Sequence, residues 1–278
     1  MTYDLAASTV RLRTAAALAA HPSAGRFVAL AVGAASPMAD VARDLERQVF
    51  EKSFGNDAGQ MAAEYRRYED DSLFFIVLDR KTGMPAGAGR VIDSGGKTLD
   101  DAPGRIDTPL SAIVALHNLG NGRIWDFATL AVLPAYRGGR SGLAVSSLLY
   151  RTFLNAGRLA GVRHVVAMLD HRAHRNMKLI GVHFAAMAGS EPFAYLGSPA
   201  TEALYVPFAE LIPSIGRQAQ RLGRLTGQFH GEIRARGVRR LVTRRIAARV
   251  AGQIATGDGL DEHITLPGLD RRQLIRQR

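Results

Sequence analysis

The chain has 278 residues, 47% of them hydrophobic and 22% charged, the balance of a folded protein with a sizeable core. It contains no cysteine, which excludes disulfides and thiolate chemistry, and no apolar run approaches the length of a transmembrane helix. The formal net charge is +11 and unevenly spread: residues 211–278 carry 14 arginines against 5 acidic residues, so residues 1–210 are close to neutral. That shift marks a boundary near Ile212-Pro213 and divides the chain into a lead-in (1–23), an α/β domain (24–210) and an arginine-rich helical extension (211–278).

Arg11 and Arg13 precede the short alanine-dominated run Thr14 to Ala20, which reads as a helix or loose lead-in of a cytoplasmic protein rather than a secretion signal. Arg26 to Val32 reads as a strand. Ser36-Pro37 is a helix start, with a capping hydroxyl and proline in the first turn, and the helix runs to about Gly55. After the acidic and aromatic stretch Glu64 to Asp71, Leu73 to Leu78 and Ala86 to Ile92 form a hairpin around the turn Asp79 to Gly83. Ser94 to Thr108 reads as a glycine- and aspartate-rich loop, and Leu110 to Leu119 as a helix. A strand from Trp125 to Leu133, a turn from Tyr136 to Gly142 and an amphipathic helix to Ala160 follow. Val162 to Leu169 is the next strand. Short closing strands stand at Phe193 to Leu196 and Glu202 to Val206. Beyond Pro213 the chain reads as helical. Ile233, Val238, Leu241, Val242, Ile246 and Val250 share an apolar face, flanked by arginines from Arg234 to Arg249.

The stretch Trp125 to Ala160 carries the clearest chemistry. A glycine-rich turn at a helix N-terminus offers backbone N–H groups and a partial positive charge to an anion. Glycine permits close approach and positive φ, and Arg137 and Arg140 add charge-assisted contacts. Val132-Leu133-Pro134-Ala135-Tyr136-Arg137-Gly138-Gly139-Arg140-Ser141-Gly142 resembles the central motif of the GNAT acyltransferase superfamily, with Arg140 where the middle glycine is usual. The resemblance continues through the strand Val162 to Leu169 and through the segment Met177 to Phe184, which resembles the family's short following helix. It implies a mixed central sheet flanked by helices and acetyl-CoA or a longer acyl-CoA as donor, with no metal. It also implies a pyrophosphate site at Arg137, Gly138, Gly139, Arg140, Ser141 and Gly142, with main-chain contacts to pantetheine from Leu130 and Val132.

Acyl transfer to an amine needs a base or cation-binding carboxylate and stabilisation of the oxyanion. Asp126 interrupts an apolar strand and is the leading candidate. Glu64 is the second, from a run (Glu64, Glu69, Asp70, Asp71) whose ordinary reading is a solvated acidic face. The tyrosine that often serves as the family's acid is missing, with Leu179-Ile180 in its neighbourhood. Arg47 to Phe50, Gly87 to Arg90 and Trp125-Asp126 are similar to the acyl-homoserine-lactone and long-chain N-acyl amino acid synthase branch, which implies a carrier-protein or long-acyl donor. Ala128-Thr129 stands where that branch has Ser-Arg, which argues against lactone synthesis. His171 and His174 alone make a poor metal site, and His117 reads as packed or solvent-facing.

The basic extension reads as a solvated helical face packed on the domain or on a second subunit. Its alternative is a landing patch for an acyl-carrier protein or an anionic membrane. Nucleic acid is disfavoured, because only Phe229 interleaves the arginines. The expected function is N-acyl transfer from an acyl thioester to a small-molecule amine. The alternative is a catalytically degenerate acyl-CoA-binding or regulatory protein acting through the basic tail.

Overall fold

The computed structural model describes residues 2–227, 235–257 and 260–267. Its helices and strands run α1 (Ala7–Ala20), β1 (Phe27–Gly33), α2 (Pro37–Phe54), α3 (Ala58–Tyr65), β2 (Ser72–Asp79), β3 (Met84–Asp93), α4 (Gly96–Ile106), α5 (Leu110–Leu116) and β4 (Arg123–Val132). There follow α6 (Gly139–Leu159), β5 (Val162–Asp170), α7 (His171–Leu179), β6 (Ala185–Ala186), β7 (Phe193–Tyr195), β8 (Ser198–Pro207), α8 (Phe208–Gly227), α9 (Ala235–Thr256) and β9 (Glu262–Ile264). The fold is α/β, a mixed sheet with helices on both faces. Its strand order is β6-β8-β5-β4-β3-β2-β1-β9, with β7 paired to β8. Among the described residues only β4–β5 and β1–β9 are parallel.

Local chemistry accounts for most boundaries. Ser36 Oγ accepts from the Met38 N–H at 3.2 Å, Pro37 opens α2, and Gly55 ends it in the left-handed conformation with φ +80°. The apolar run Leu73 to Leu78 is buried on both faces, as a central strand requires. Alternation sorts its side chains into two layers. Phe75 and Val77 join Ala29 and Ala31 in a core with α6, α8 and α9. Phe74, Ile76 and Leu78 join Val28 and Leu30 in a core with Val10 of α1 and Leu45 of α2.

Two expectations need correction. The segment read as a loop from Ser94 to Thr108 contains α4, entered through Gly95 and Gly96 at positive φ. Its glycines, aspartates and Pro103 hide any helical period. Leu99 and Ala102, docked on Val166, Ala203 and Ile113, stabilise it through tertiary contact instead. The helix expected from Met177 to Phe184 begins earlier, at His171, and ends at Leu179. Val182 and Phe184 are buried in non-helical chain.

Among the described residues beyond Pro213, α8 and α9 are helical and β9 returns to the sheet. α8 and α9 contribute Leu211, Ile215, Val250, Ala251 and Ile254 to the core beside α6, and β9 covers the edge of β1. Ile233, Val238, Leu241, Val242, Phe229 and the arginines from Arg234 to Arg240 lie outside the described side chains. Of that face, Val250 is buried and Ile246 is exposed. Among the described residues, no helix is long and apolar enough to cross a membrane.

Phe153 of α6 is the hub of the larger core. Its ring centroid lies 5.1 Å from Phe127, 5.9 Å from Trp125, 6.0 Å from Phe75 and 6.3 Å from Phe208. Phe153→Ala is expected to lower unfolding free energy by about 3–5 kcal/mol. Urea unfolding should show this as a lower midpoint at unchanged slope.

Candidate active site

Pro134 ends β4, and Pro134–Tyr136 turn the chain towards α6. The Tyr136 hydroxyl fixes this turn to the β2–β3 hairpin. It donates to Asp79 Oδ2 at 3.1 Å and lies 3.0 Å from Thr82 Oγ1. Gly138 and Gly139 then take φ of +108° and +58°, conformations that resist any residue with a Cβ. A Cβ on Gly142 would stand 2.7 Å from the Tyr136 carbonyl oxygen, so the turn can fold this tightly only with glycine there. In α2, α3 and α7, a side chain of Ser36, Asp57 or Asp170 accepts from a first-turn N–H. α6, like α1, α4 and α5, has no such cap, so no side chain of its N-cap residue takes its leading N–H groups. Arg137 and Arg140 are exposed at this turn. Arg26, which carries no sequence signal, joins them: its Nη1 donates to Ser141 Oγ at 3.2 Å while its other nitrogens hold Asp79.

Strand β4 leads into the turn along an open edge. Its parallel pairing with β5 runs from Arg123↔Val162 to Asp126↔Val166 and stops, although β4 continues to Val132 and β5 to Asp170. On its other side β4 follows β3 as far as Gly87↔Val132. Residues Phe127 to Val132 therefore have a strand on one side only, among the described residues. The Leu133 N–H donates to Ala86 O at 3.1 Å. Alternation of an antiparallel ladder then turns the N–H and C=O groups of Leu130 and Val132 away from β3, into the gap. Consistently, Val132 O accepts from Arg137 Nε at 2.7 Å.

A bulge at Ala128 reverses the strand's facing. Thr129 pairs with Arg90 and Phe127 with Val91, leaving Ala128 extra. Trp125 and Phe127 before the bulge, and Leu130 and Val132 after it, all pack into the α6 core. On this face an apolar pocket, with room for little more than one water, is lined by Phe127, Tyr150, Phe153, Met177, Phe184 and Ile215 among others.

Asp126 points to the opposite face. It is 1% exposed, and its carboxylate accepts from the Thr98 N–H at 2.8 Å and from Thr98 Oγ1 at 2.7 Å. Burial lifts its carboxyl to about 7, with the two Thr98 bonds opposing the rise. The preceding residue of α4, Lys97, holds Glu64 at 2.5 Å and Asp101 at 2.8 Å, and the Tyr195 hydroxyl donates to Asp101 at 2.6 Å. Burial pushes the Asp101 carboxyl up. Lys97 and Tyr195 overcome that and leave it below its ordinary value. Asp126 and Glu64 are thus bonded to neighbouring residues of α4, one enclosed and the other at a polar cleft with Asp100 and Arg105.

The acidic run does not behave as one surface. Asp70 and Asp71 are exposed, whereas Glu69 pairs with Arg43 and lies 3.8 Å from Arg90. His117 Nε2 accepts from the Ala188 N–H at 3.0 Å, and His174 Nδ1 lies 2.9 Å from Glu202. His171 is exposed. Tyr3, Glu46, Thr98 and Lys97 escaped the sequence reading. Only Glu46 had a local signal, a carboxylate between the apolar positions Ala42, Leu45 and Val49 of α2.

No protein-family model and no curated sequence matches the chain. Among solved structures, FeeM, an N-acyl amino acid synthase from uncultured soil microbes, superposes with a TM-score of 0.51 at 13% identity, over 68% of this chain and 94% of that one. A Lactobacillus plantarum protein described as an N-acetyltransferase aligns at 0.45 and 15% identity, over 66% and 99%. BjaI, a CoA-dependent acyl-homoserine lactone synthase, aligns at 0.39 and 16% identity, over 78% and 99%. The likeness to FeeM shows the fold, and that fold is the GNAT fold expected from the turn after β4.

The raised carboxyl of Asp126 makes stability depend on pH. The folded protein binds this proton more tightly than the unfolded chain. The contribution is therefore complete below the unfolded value of 3.8 and is lost as pH rises from there through about 7. Asp126→Asn is expected to flatten the fall in unfolding free energy between about pH 4 and 7. Chemical denaturation at successive pH values measures the slope, and an unchanged slope would mean that Asp126 is ionised throughout.

Proposed function

We propose that the protein is an N-acyltransferase that passes an acyl group from an acyl thioester directly to a small amine. The observation that carries this reading is the one-sided stretch of β4 from Phe127 to Val132, which leads into the uncapped N-terminus of α6. Donor pyrophosphate would lie on the turn from Arg137 to Gly142, with Arg26 as an added cation. Leu130 and Val132 would hold the pantetheine arm as a strand would. Five strand residues span on the order of 16 Å, which sets the thioester near Phe127 and the bulge. The acyl chain then meets the apolar pocket lined by Phe127, which a chain longer than acetyl would have to widen.

The acceptor approaches from the Asp126 face. The amine nitrogen attacks the thioester carbonyl, an N–C bond forms, and the C–S bond breaks as the tetrahedral oxyanion collapses. The amine proton passes to the Asp126 carboxylate, whose value near 7 suits a general base at neutral pH. The departing thiolate is protonated from solvent, since Leu179 and Ile180 stand where a tyrosine acid is usual. Arg217, Arg221 and Arg224 on α8 and Arg245 and Arg249 on α9 are exposed, and they would favour an acidic carrier of the donor.

Titration with acetyl-, octanoyl- and palmitoyl-CoA tests the donor site. Affinity is expected to rise about fourfold per methylene buried until the cavity fills. Arg137→Ala combined with Gly139→Glu should weaken all three donors, and intact binding in that variant would sink the assignment. Turnover with an amine panel should rise through about pH 7 and be lost in Asp126→Asn. Donor binding without turnover of any amine would favour the non-catalytic alternative.

A further inference from the structure

Tyr150 of α6 carries a hydroxyl that the fold does not use. Its side chain is half-buried and lines the apolar pocket that Phe127 also lines. The other side chains around that pocket belong to phenylalanine, leucine, isoleucine, valine and methionine, none of which donates a hydrogen bond. The hydroxyls of Tyr3, Tyr68, Tyr136 and Tyr195 are partnered with Arg90, Asp100, Asp79 and Asp101. Among the described residues no group hydrogen-bonds the Tyr150 hydroxyl, and burial alone pushes its phenol up. A polar group in apolar surroundings is costly to the fold unless something pairs with it. Tyr150 therefore holds a donor in reserve, at a place where nothing else can supply one.

Its position along the helix matches the position of the thioester. Tyr150 stands eleven residues after Gly139, which opens α6, and so lies about 16 Å along the helix from the turn. Phe127 stands five residues before Val132, the end of β4, and so lies about 16 Å back along the strand from the same turn. Side-chain contact agrees with this measure. The Phe127 ring lies 5.1 Å from that of Phe153, which follows Tyr150 by one turn on the same side of α6. A donor whose pyrophosphate occupies the turn has its sulfur beside Phe127 and level with Tyr150.

We infer that Tyr150 is a catalytic residue whose hydroxyl donates a hydrogen bond to the donor's sulfur as the C–S bond breaks. This deepens the acyltransferase reading and rests on it. When the amine nitrogen bonds to the carbonyl carbon and the tetrahedral oxyanion collapses, the C–S electron pair stays on sulfur. The new charge appears against apolar side chains, where a thiolate without a donor is costly. A thioester sulfur accepts weakly and a thiolate strongly, so the bond strengthens towards the transition state, which is what accelerates a reaction. The phenol keeps its proton throughout, and the thiolate takes its own from solvent.

Coenzyme A and desulfo-coenzyme A, which lacks the sulfur, test this without an acceptor amine. Thiolate absorbance of the coenzyme A complex, read against the desulfo complex over a pH series, gives the ionisation of the bound thiol. It is expected about one to two pH units lower in the wild-type chain than in Tyr150→Phe, the worth of one hydrogen bond to a charged acceptor. Tyr150→Phe keeps the ring, so calorimetry should find its affinities for desulfo-coenzyme A and octanoyl-CoA within about twofold of wild type. The same thiol ionisation in both proteins would overturn the proposal. Weakened desulfo-coenzyme A binding in Tyr150→Phe would also overturn it, by assigning the residue to packing. Failure of the wild-type chain to bind either coenzyme would overturn the donor reading itself, and Tyr150's role with it.

Discussion

Strand β4 is paired with β3 from Trp125 to Val132 on one edge and with β5 only along its first part on the other. β5 pairs with it as far as Asp126 and then leaves it, and the rest of the site is arranged around that separation. A sheet that opens in its middle has unpaired main-chain groups where burial would normally forbid them. Here Leu130 and Val132 turn their main-chain groups into the opening, where Val132 O takes Arg137 Nε, and the opening ends at a helix without a side-chain cap. An extended ligand with amide groups along its length and an anion at one end matches both deficits.

The bulge at Ala128 lets one strand serve two faces. Because side chains alternate, a strand without a bulge would keep the parity set by Trp125 and Phe127 throughout. The extra residue reverses that parity, so Leu130 and Val132 share the α6 face with Phe127, and Thr129 joins Asp126 on the other. One face of the open stretch is thereby apolar and can accept a chain. The other carries Asp126 and the Glu46–Arg90 pair, buried groups that are stable only because Thr98, Thr129 and Tyr3 bond to them. The helix α4 matters more than its sequence suggests, since Lys97 and Thr98 fix Glu64 and Asp126 from adjacent positions.

The arginine-rich segment shows how composition and packing report on different things. Its charge sets it apart from the neutral body, yet α9 and β9 are built into the same core and the same sheet as β1 and α6. Charge lies on exposed side chains, which say little about what the buried side of the same helix covers.

Where information is local, the sequence determined the result. Ser36-Pro37 and Gly55 bound α2 through their own caps, the apolar run Leu73 to Leu78 makes a central strand, and Tyr136 to Gly142 make a glycine turn because few other residues tolerate those φ values. The GNAT fold was legible from that turn and its flanks. Asp126 was conspicuous because a carboxylate in an apolar strand demands an explanation. Only the tertiary structure decided what lies between elements. α4 is a helix because Leu99 and Ala102 find a surface to cover. Asp126 is held by a threonine 28 residues away. Arg90 meets Tyr3 across 87 residues. Hydrogen bonds and burial of that kind depend on which distant segments the sheet brings together, and a local pattern in the sequence carries no trace of them.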